Sequence, residues 1–213
     1  MINRSLACRM CSLANDINSD VSRDTLVFLG SYNGEPFIGR QMRSILEQTE
    51  PLHLLVSDDG STDATASIVS EFIEAGQPVT WIQGPGLGFA ENFLSVFRRD
   101  DLLNYAFLAF SDQDDLWDRD HLKQARQALS QYDGPAIFGC RTEWIDIEDA
   151  PIGVSSRSGE HLGFANALVQ SFAGGNTLVL NREAVAWLSY HLKPVQLPQG
   201  LSHDWLIYQL ISG

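Results

Sequence analysis

From Thr25 onward, short apolar runs alternate with stretches whose apolar residues recur every three or four positions. The runs Thr25–Gly30, Leu52–Val56, Val79–Ile82 and Ala106–Phe110 are strand-sized and almost free of charge. Runs of that kind predict strands buried on both faces, as in a parallel sheet. Pro36 opens a helical pattern with Phe37, Ile38, Met42, Ile45 and Leu46 on one face. Ser61 or Asp63 can cap the next helix, which carries Ile68, Val69, Phe72 and Ile73 and is stopped by Gly76 and Pro78. Phe89, Phe93, Val96 and Phe97 make a third helical stripe, and a helix near Asp120 to Gln131 follows the fourth strand. Repeated strand–helix units predict an α/β fold, a mostly parallel central sheet flanked by helices on both faces.

The second half is less regular. Ala136–Cys140 and Thr142–Ile147 read as strands, and Pro151–Gly163 as a Gly- and Ser-rich loop. A Gly174-Gly175-Asn176 turn leads into a strand at Thr177–Leu180. Glu183–His191 reads as a helix, and an apolar run follows Ser202-His203-Asp204-Trp205 as far as Ile211.

The length of 213 residues suits one domain with one substantial core. A net charge of −13 argues against a nucleic-acid partner and a broad polybasic membrane patch. No apolar stretch approaches the ~20 residues of a membrane helix. Three cysteines, Cys8, Cys11 and Cys140, give no disulfide framework, so a reducing, cytoplasmic setting is the simpler reading. Cys8 and Cys11 have CxxC spacing without a second pair, and the first 24 residues read as a polar extension without a secretory signal.

The candidate chemistry lies at strand exits, where open α/β sheets bind ligands. Ser31-Tyr32-Asn33 follows the first strand, Ser57-Asp58-Asp59-Gly60-Ser61-Thr62-Asp63 the second, Gln83-Gly84 the third and Ser111-Asp112-Gln113-Asp114-Asp115-Leu116-Trp117 the fourth. Carboxylates gathered at one edge repel one another and call for a counter-charge, usually a divalent cation such as Mg²⁺ or Mn²⁺. The Gly84–Gly88 turn lacks the spacing of a dinucleotide loop. Asp58-Asp59 can equally begin a turn, and Ser202 or Asp204 can equally open the last helix.

These motifs together resemble glycosyltransferase family 2, the inverting enzymes of GT-A fold. Ser31–Glu35 resembles the family's opening motif, Asp58–Asp63 its nucleotide-binding segment and Asp112-Gln113-Asp114 its DxD metal motif. The His203-Asp204-Trp205 version looks closest to the rhamnosyltransferase-like branch that builds bacterial surface polysaccharides.

The resemblance implies one GT-A domain over 25–213, with a nucleotide-binding half at 25–118 and an acceptor half at 119–213. Many relatives continue past the base motif, so the acceptor half is expected to be incomplete. By resemblance, Ser31, Tyr32, Asp58, Asp59, Asn92 and Asp112 face the donor nucleotide. Asp114 is the metal ligand, with Asp112 beside it. Asp204 is the general base, and Gly174, Gly175, His203 and Trp205 lie on the acceptor side. The implied partners are a dTDP- or UDP-sugar, dTDP-rhamnose first, and a glycan or lipid-linked saccharide, reached from the cytoplasm with peripheral membrane contact. Two rivals share such a sheet: a sugar-nucleotide nucleotidyltransferase, which usually carries a basic loop after strand one, and a binding module that has lost catalysis.

Overall fold

Four parallel strands form the backbone of the computed structural model, which describes residues 24–156, 162–193 and 202–213. They are β1 (Thr25–Ser31), β2 (Leu52–Asp58), β3 (Val79–Gln83) and β4 (Phe107–Ser111). Helices α1 (Ile38–Leu46), α2 (Thr65–Glu74) and α3 (Phe89–Ser95) follow the first three, and α4 (His121–Leu129) follows β4. Next come β5 (Ile137–Phe138), a hairpin of β6 (Glu143–Ile145) and β7 (Pro151–Val154), the short helix α5 (Phe164–Ala167), β8 (Val179–Asn181), α6 (Arg182–Leu192) and α7 (His203–Ser212).

The main sheet runs β3-β2-β1-β4-β8-β5, and β8 pairs antiparallel with both of its neighbours. Chain direction switches sides at β1, because β2 lies on one flank and β4 on the other. That switch opens a crevice at the carboxyl ends of the strands. Register brings the exits level: Ser31 faces Asp58, Asp58 faces Gln83, and Leu29 faces Ser111.

Alternation along β1 explains the two helix layers. Leu26 and Phe28 point to a core shared with α3, α6 and α7, including Phe93, Phe97, Leu188 and Ile207. Val27 and Leu29 point to the opposite core, with Ile38, Met42 and Ile45 of α1, Val69 of α2 and Leu122 of α4. Phe28 is fully buried, its ring centroid 5.7 Å from that of Phe93 and 6.3 Å from that of Phe110. Truncating such a side chain to Ala costs about 3–5 kcal/mol.

The first half follows the sequence pattern closely; the second departs from it. Pro151–Val154, expected in a loop, forms β7 and pairs with β6 outside the main sheet. The strand expected at Ala136–Cys140 narrows to Ile137–Phe138, and that at Thr142–Ile147 to Glu143–Ile145. The physical reason is that β6 and β7 face solvent, with Trp144, Ile152 and Val154 exposed, so no buried face imposes alternation. At α2, Asp63 Oδ1 accepts from Thr65 N at 3.0 Å, while Ser61 Oγ accepts from Asn33 N at 2.8 Å. Neither expected cap holds the N-cap position, which falls to Ala64; Asp63, one residue earlier, receives the first helical N–H, and Ser61 ties down the β1 exit. No helix among the described residues is long and apolar enough to cross a membrane. Cys8 and Cys11 lie outside the described residues.

Candidate active site

A cavity of about 680 Å³ opens at the switch point, lined by Ser31 and Tyr32 from β1, Asp59 after β2, Gly86, Gly88 and Asn92 around α3, and Asp112, Gln113 and Asp114 after β4. Residues from three strand exits thus share one wall, because parallel strands in register deliver their loops to the same edge. Among the described residues no Lys or Arg lines this cavity.

Each polar side chain has a definite job. Asp59 holds the glycine turn above α3: its Oδ1 accepts from Gly86 N at 2.6 Å and its Oδ2 from Gly88 N at 2.8 Å. Gly86 and Gly88 adopt φ of 70° and 92°, the left-handed region that glycine tolerates. Asp58 is 3% exposed and does not line the cavity. Its Oδ1 accepts from Gly60 N and Ser61 N at 3.2 and 2.8 Å, so it shapes the turn that aims Asp59. Asn92 lines the cavity, yet its amide is committed to Ser57: Oδ1 accepts from Ser57 Oγ at 2.5 Å and Nδ2 donates to Ser57 O at 2.9 Å. Tyr32 is largely exposed at the rim.

Gln113, the residue between the two aspartates, was not among the expected site residues. Its Oε1 accepts from Tyr32 N at 2.9 Å and Ser31 Oγ at 3.2 Å, and its Nε2 donates to Tyr32 O at 3.1 Å. This pairing clips the acidic loop to the end of β1. Gly34 leaves room for it, since a Cβ there would stand 2.3 Å from Gln113 Oε1. A second clip joins the halves: Asn176 Nδ2 donates to Asp115 Oδ2 at 2.6 Å. Position inside or beside a recognised motif is the one sequence signal that either residue offered.

Asp204 comes from α7, some ninety residues downstream, yet its charge is felt at Asp112. Burial first, then the charges of Asp115, Asp114 and Asp204, push the Asp112 carboxyl up to about 7. Burial also raises Asp115, with Asp114 adding to it and the Asn176 hydrogen bond opposing. Four carboxylates therefore converge where the two halves meet. Ser202 Oγ bonds to the Asp204 carboxylate.

The other acceptor-side residues are built into the packing. His203 is 4% exposed and stacks on Phe93 with ring centroids 4.1 Å apart. Burial, opposed by Asp204, lowers its pKa to about 4, so the ring is neutral. A Cβ on Gly175 would lie 2.4 Å from His203 Nε2 and 3.3 Å from Asp204 Cβ. Gly175 is thus needed where the Gly174-Gly175-Asn176 turn meets α7, and Gly174 lines a separate hollow. Trp205 Nε1 donates to Ala167 O at 2.6 Å, which anchors α7 to α5.

With this geometry in view, the family can be read. The model for glycosyl transferase family 2 matches residues 27–182. The chain belongs to that family. It is 38% identical to a dTDP-rhamnosyl transferase, RfbG, of Shigella flexneri over 106 residues, covering 47% of this chain and 36% of that protein. It is 25% identical to the putative teichuronic acid biosynthesis glycosyltransferase TuaG of Bacillus subtilis, covering 74% of this chain and 62% of that protein. The chain thus spans only part of the length of these curated relatives.

Among solved structures, S. aureus TarS 1-349 in complex with UDP-GlcNAc aligns with a TM-score of 0.65 at 19% identity, covering 89% of this chain and 53% of that one. The mannosyltransferase PcManGT from Pyrobaculum calidifontis, in complex with GDP-Man and Mn²⁺, aligns with a TM-score of 0.58 at 19% identity, covering 93% of this chain and 56% of that one. At that identity the likeness is one of fold, and it is the GT-A fold that the motifs led us to expect.

The residues present fit a divalent cation shared with a ligand. Among the described residues no three His, Cys, Asp or Glu side chains form a closed metal cage. Asp112 and Asp114 nonetheless offer hard oxygens in a site whose crowded carboxylates lack a counter-charge. A magnesium-type site of one or two carboxylates completed by water and phosphate has that composition.

Proposed function

We propose that this chain is the donor-binding and catalytic part of an inverting glycosyltransferase. It moves a sugar from a dTDP- or UDP-linked donor to a hydroxyl of a glycan or lipid-linked saccharide in bacterial surface polysaccharide synthesis. Rhamnose from dTDP-rhamnose is the first choice, supported by the identity to RfbG. The observation that carries the reading is the convergence of Asp204 on the Asp112–Asp115 cluster beside a nucleotide-sized cavity.

Asp59, aimed by Asp58 and clasping the glycine turn, presents acceptor lone pairs to an N–H of the base or to a ribose hydroxyl. Tyr32 covers the nucleotide at the rim. Asp112 and Asp114 would hold a Mg²⁺ or Mn²⁺ ion, which when bound would supply positive charge for the departing diphosphate. Asp204 takes the proton from the acceptor hydroxyl on the face opposite the leaving group, which gives inversion in a single displacement.

The nucleotidyltransferase reading has less support, because a triphosphate substrate calls for basic side chains and none of the described residues lining the cavity is Lys or Arg. A module that has lost catalysis is separated from the enzyme by experiment. Wild type and Asp204→Asn are compared for dTDP binding by calorimetry and for sugar release from dTDP-rhamnose with Mn²⁺. Equal binding with turnover lost only in the variant supports the enzyme; binding without turnover in both supports the inactive module.

A further inference from the structure

A second cavity, about 540 Å³, lies on the far side of Asp114 from the nucleotide cavity. Its outer wall is the β6–β7 hairpin, the part of the chain that the sequence pattern left least defined. Trp144 stands on that wall, 55% exposed. Its indole lies over Gly153 of the paired strand, where a Cβ would come within 2.9 Å of the ring. Gly153 therefore gives the edge of the indole room against the hairpin, and more than half of Trp144 stays open to solvent. The wall itself is fixed. Arg40 of α1 makes a two-pronged contact with Asp149 at 2.8 and 2.9 Å, and the Asp146 carboxylate accepts from Glu148 N and Ala150 N at 2.9 Å each.

Opposite the hairpin, His121 and Trp117 line the cavity with ring centroids 4.6 Å apart. His121 is 7% exposed, and its Nε2 has no partner among the described residues. An aromatic face beside carboxylates suits a sugar ring, whose apolar face stacks while its hydroxyls bond at the edge. The charge balance narrows the choice. Among the described residues the lining carries Asp114, Asp115, Asp118, Glu143 and Asp149 against Arg141. Even with Asp149 matched by Arg40 and Asp114 by a cation, the balance stays negative.

We propose that this cavity binds the acceptor, and that the acceptor segment it takes is a neutral glycan stacked on Trp144, not one carrying uronic acids or phosphates. The inference rests on the glycosyltransferase reading and names the substrate class at the acceptor side of that site. Like charges across a low-dielectric wall exclude an anionic sugar chain, whereas uncharged hydroxyls meet ready acceptors.

The test is calorimetry of wild type, Trp144→Ala, Trp144→Phe and Glu143→Lys with neutral oligosaccharides and with uronic-acid oligosaccharides of the same length. Thermal shift with dTDP and Mn²⁺ is run in parallel on every variant. Neutral glycans are expected to bind wild type and Trp144→Phe alike and Trp144→Ala about tenfold more weakly. Glu143→Lys, on an exposed residue, is expected to raise affinity for the uronic-acid series. The proposal is overturned if no neutral glycan binds, if Trp144→Ala binds as wild type does, or if the uronic-acid chain binds wild type as tightly as the neutral one. An unchanged nucleotide shift alongside any of those results sinks this inference alone. Loss of the nucleotide shift in wild type sinks the transferase reading beneath it.

Discussion

The two sides of Asp114 are built on different principles. On the nucleotide side, the wall is made of strand exits held in register by a parallel sheet. Its polar groups are fixed by backbone contacts: Asp58 by its own turn, Asp59 by Gly86 and Gly88, Gln113 by Tyr32. On the side proposed for the acceptor, the wall is a two-stranded hairpin fastened by side chains, with Arg40–Asp149 as its tie to α1. The first arrangement positions reacting groups with little freedom. The second can vary in sequence without disturbing the sheet, which is where an acceptor specificity belongs.

The contrast predicts that damage on the nucleotide side is felt in binding and chemistry, and damage on the acceptor side in specificity. The largest effect is expected from Asp204→Asn, which should lower turnover about 10²–10⁴-fold with nucleotide affinity unchanged. Asp114→Asn should weaken both Mn²⁺-dependent nucleotide binding and turnover. If Asp204→Asn lost nucleotide binding to the same degree, the division between the two sides would fail.

Gly34→Ala comes next. The added methyl would stand 2.3 Å from Gln113 Oε1 and should unclip the acidic loop from β1. Calorimetry with dTDP should show weakened binding, and Gln113→Ala should relieve the clash while losing about 1–3 kcal/mol of stability through its missing hydrogen bonds. A Gly34→Ala variant with normal nucleotide affinity would show that the clip is dispensable.

A smaller effect concerns pH. Burial, opposed by Asp118, lowers the His121 pKa from 6.5 to about 4. The unfolded chain therefore binds a proton between those values that the folded chain refuses. Its contribution to stability is complete above pH 6.5 and is lost as pH falls toward 4. His121→Gln should flatten the stability curve in that window by up to about 1.4 kcal/mol per pH unit, measured by urea denaturation. The smallest effect is expected from Arg40→Ala. Both partners of its ion pair are about half exposed, so stability should change by about 1 kcal/mol or less.

Much of the nucleotide side was legible from the chain alone. Continuous apolar runs marked β1, β2, β3 and β4 because a strand covered on both faces has no polar side to show. The carboxylates after β2 and β4 stood out because like charges gathered at the end of a buried run repel one another. Gln113 and Asn176 were not legible, since an amide gives no hint of its partner until the fold supplies one. The second strand of the hairpin was missed for a related reason: Pro151–Val154 faces solvent, so burial wrote no period into it.

The sequence by itself determined the α/β layering, the strand exits and the family, because hydrophobic period and local motif are properties of neighbouring residues. Tertiary structure alone decided that the charge of Asp204 reaches Asp112, that Asp58 shapes its turn while Asp59 lines the cavity, that Gly175 serves the packing of His203, and that Trp144 and Asp114 line one cavity. Those relations join residues distant along the chain, and only the register of the sheet and the docking of α7 bring them within reach of one another.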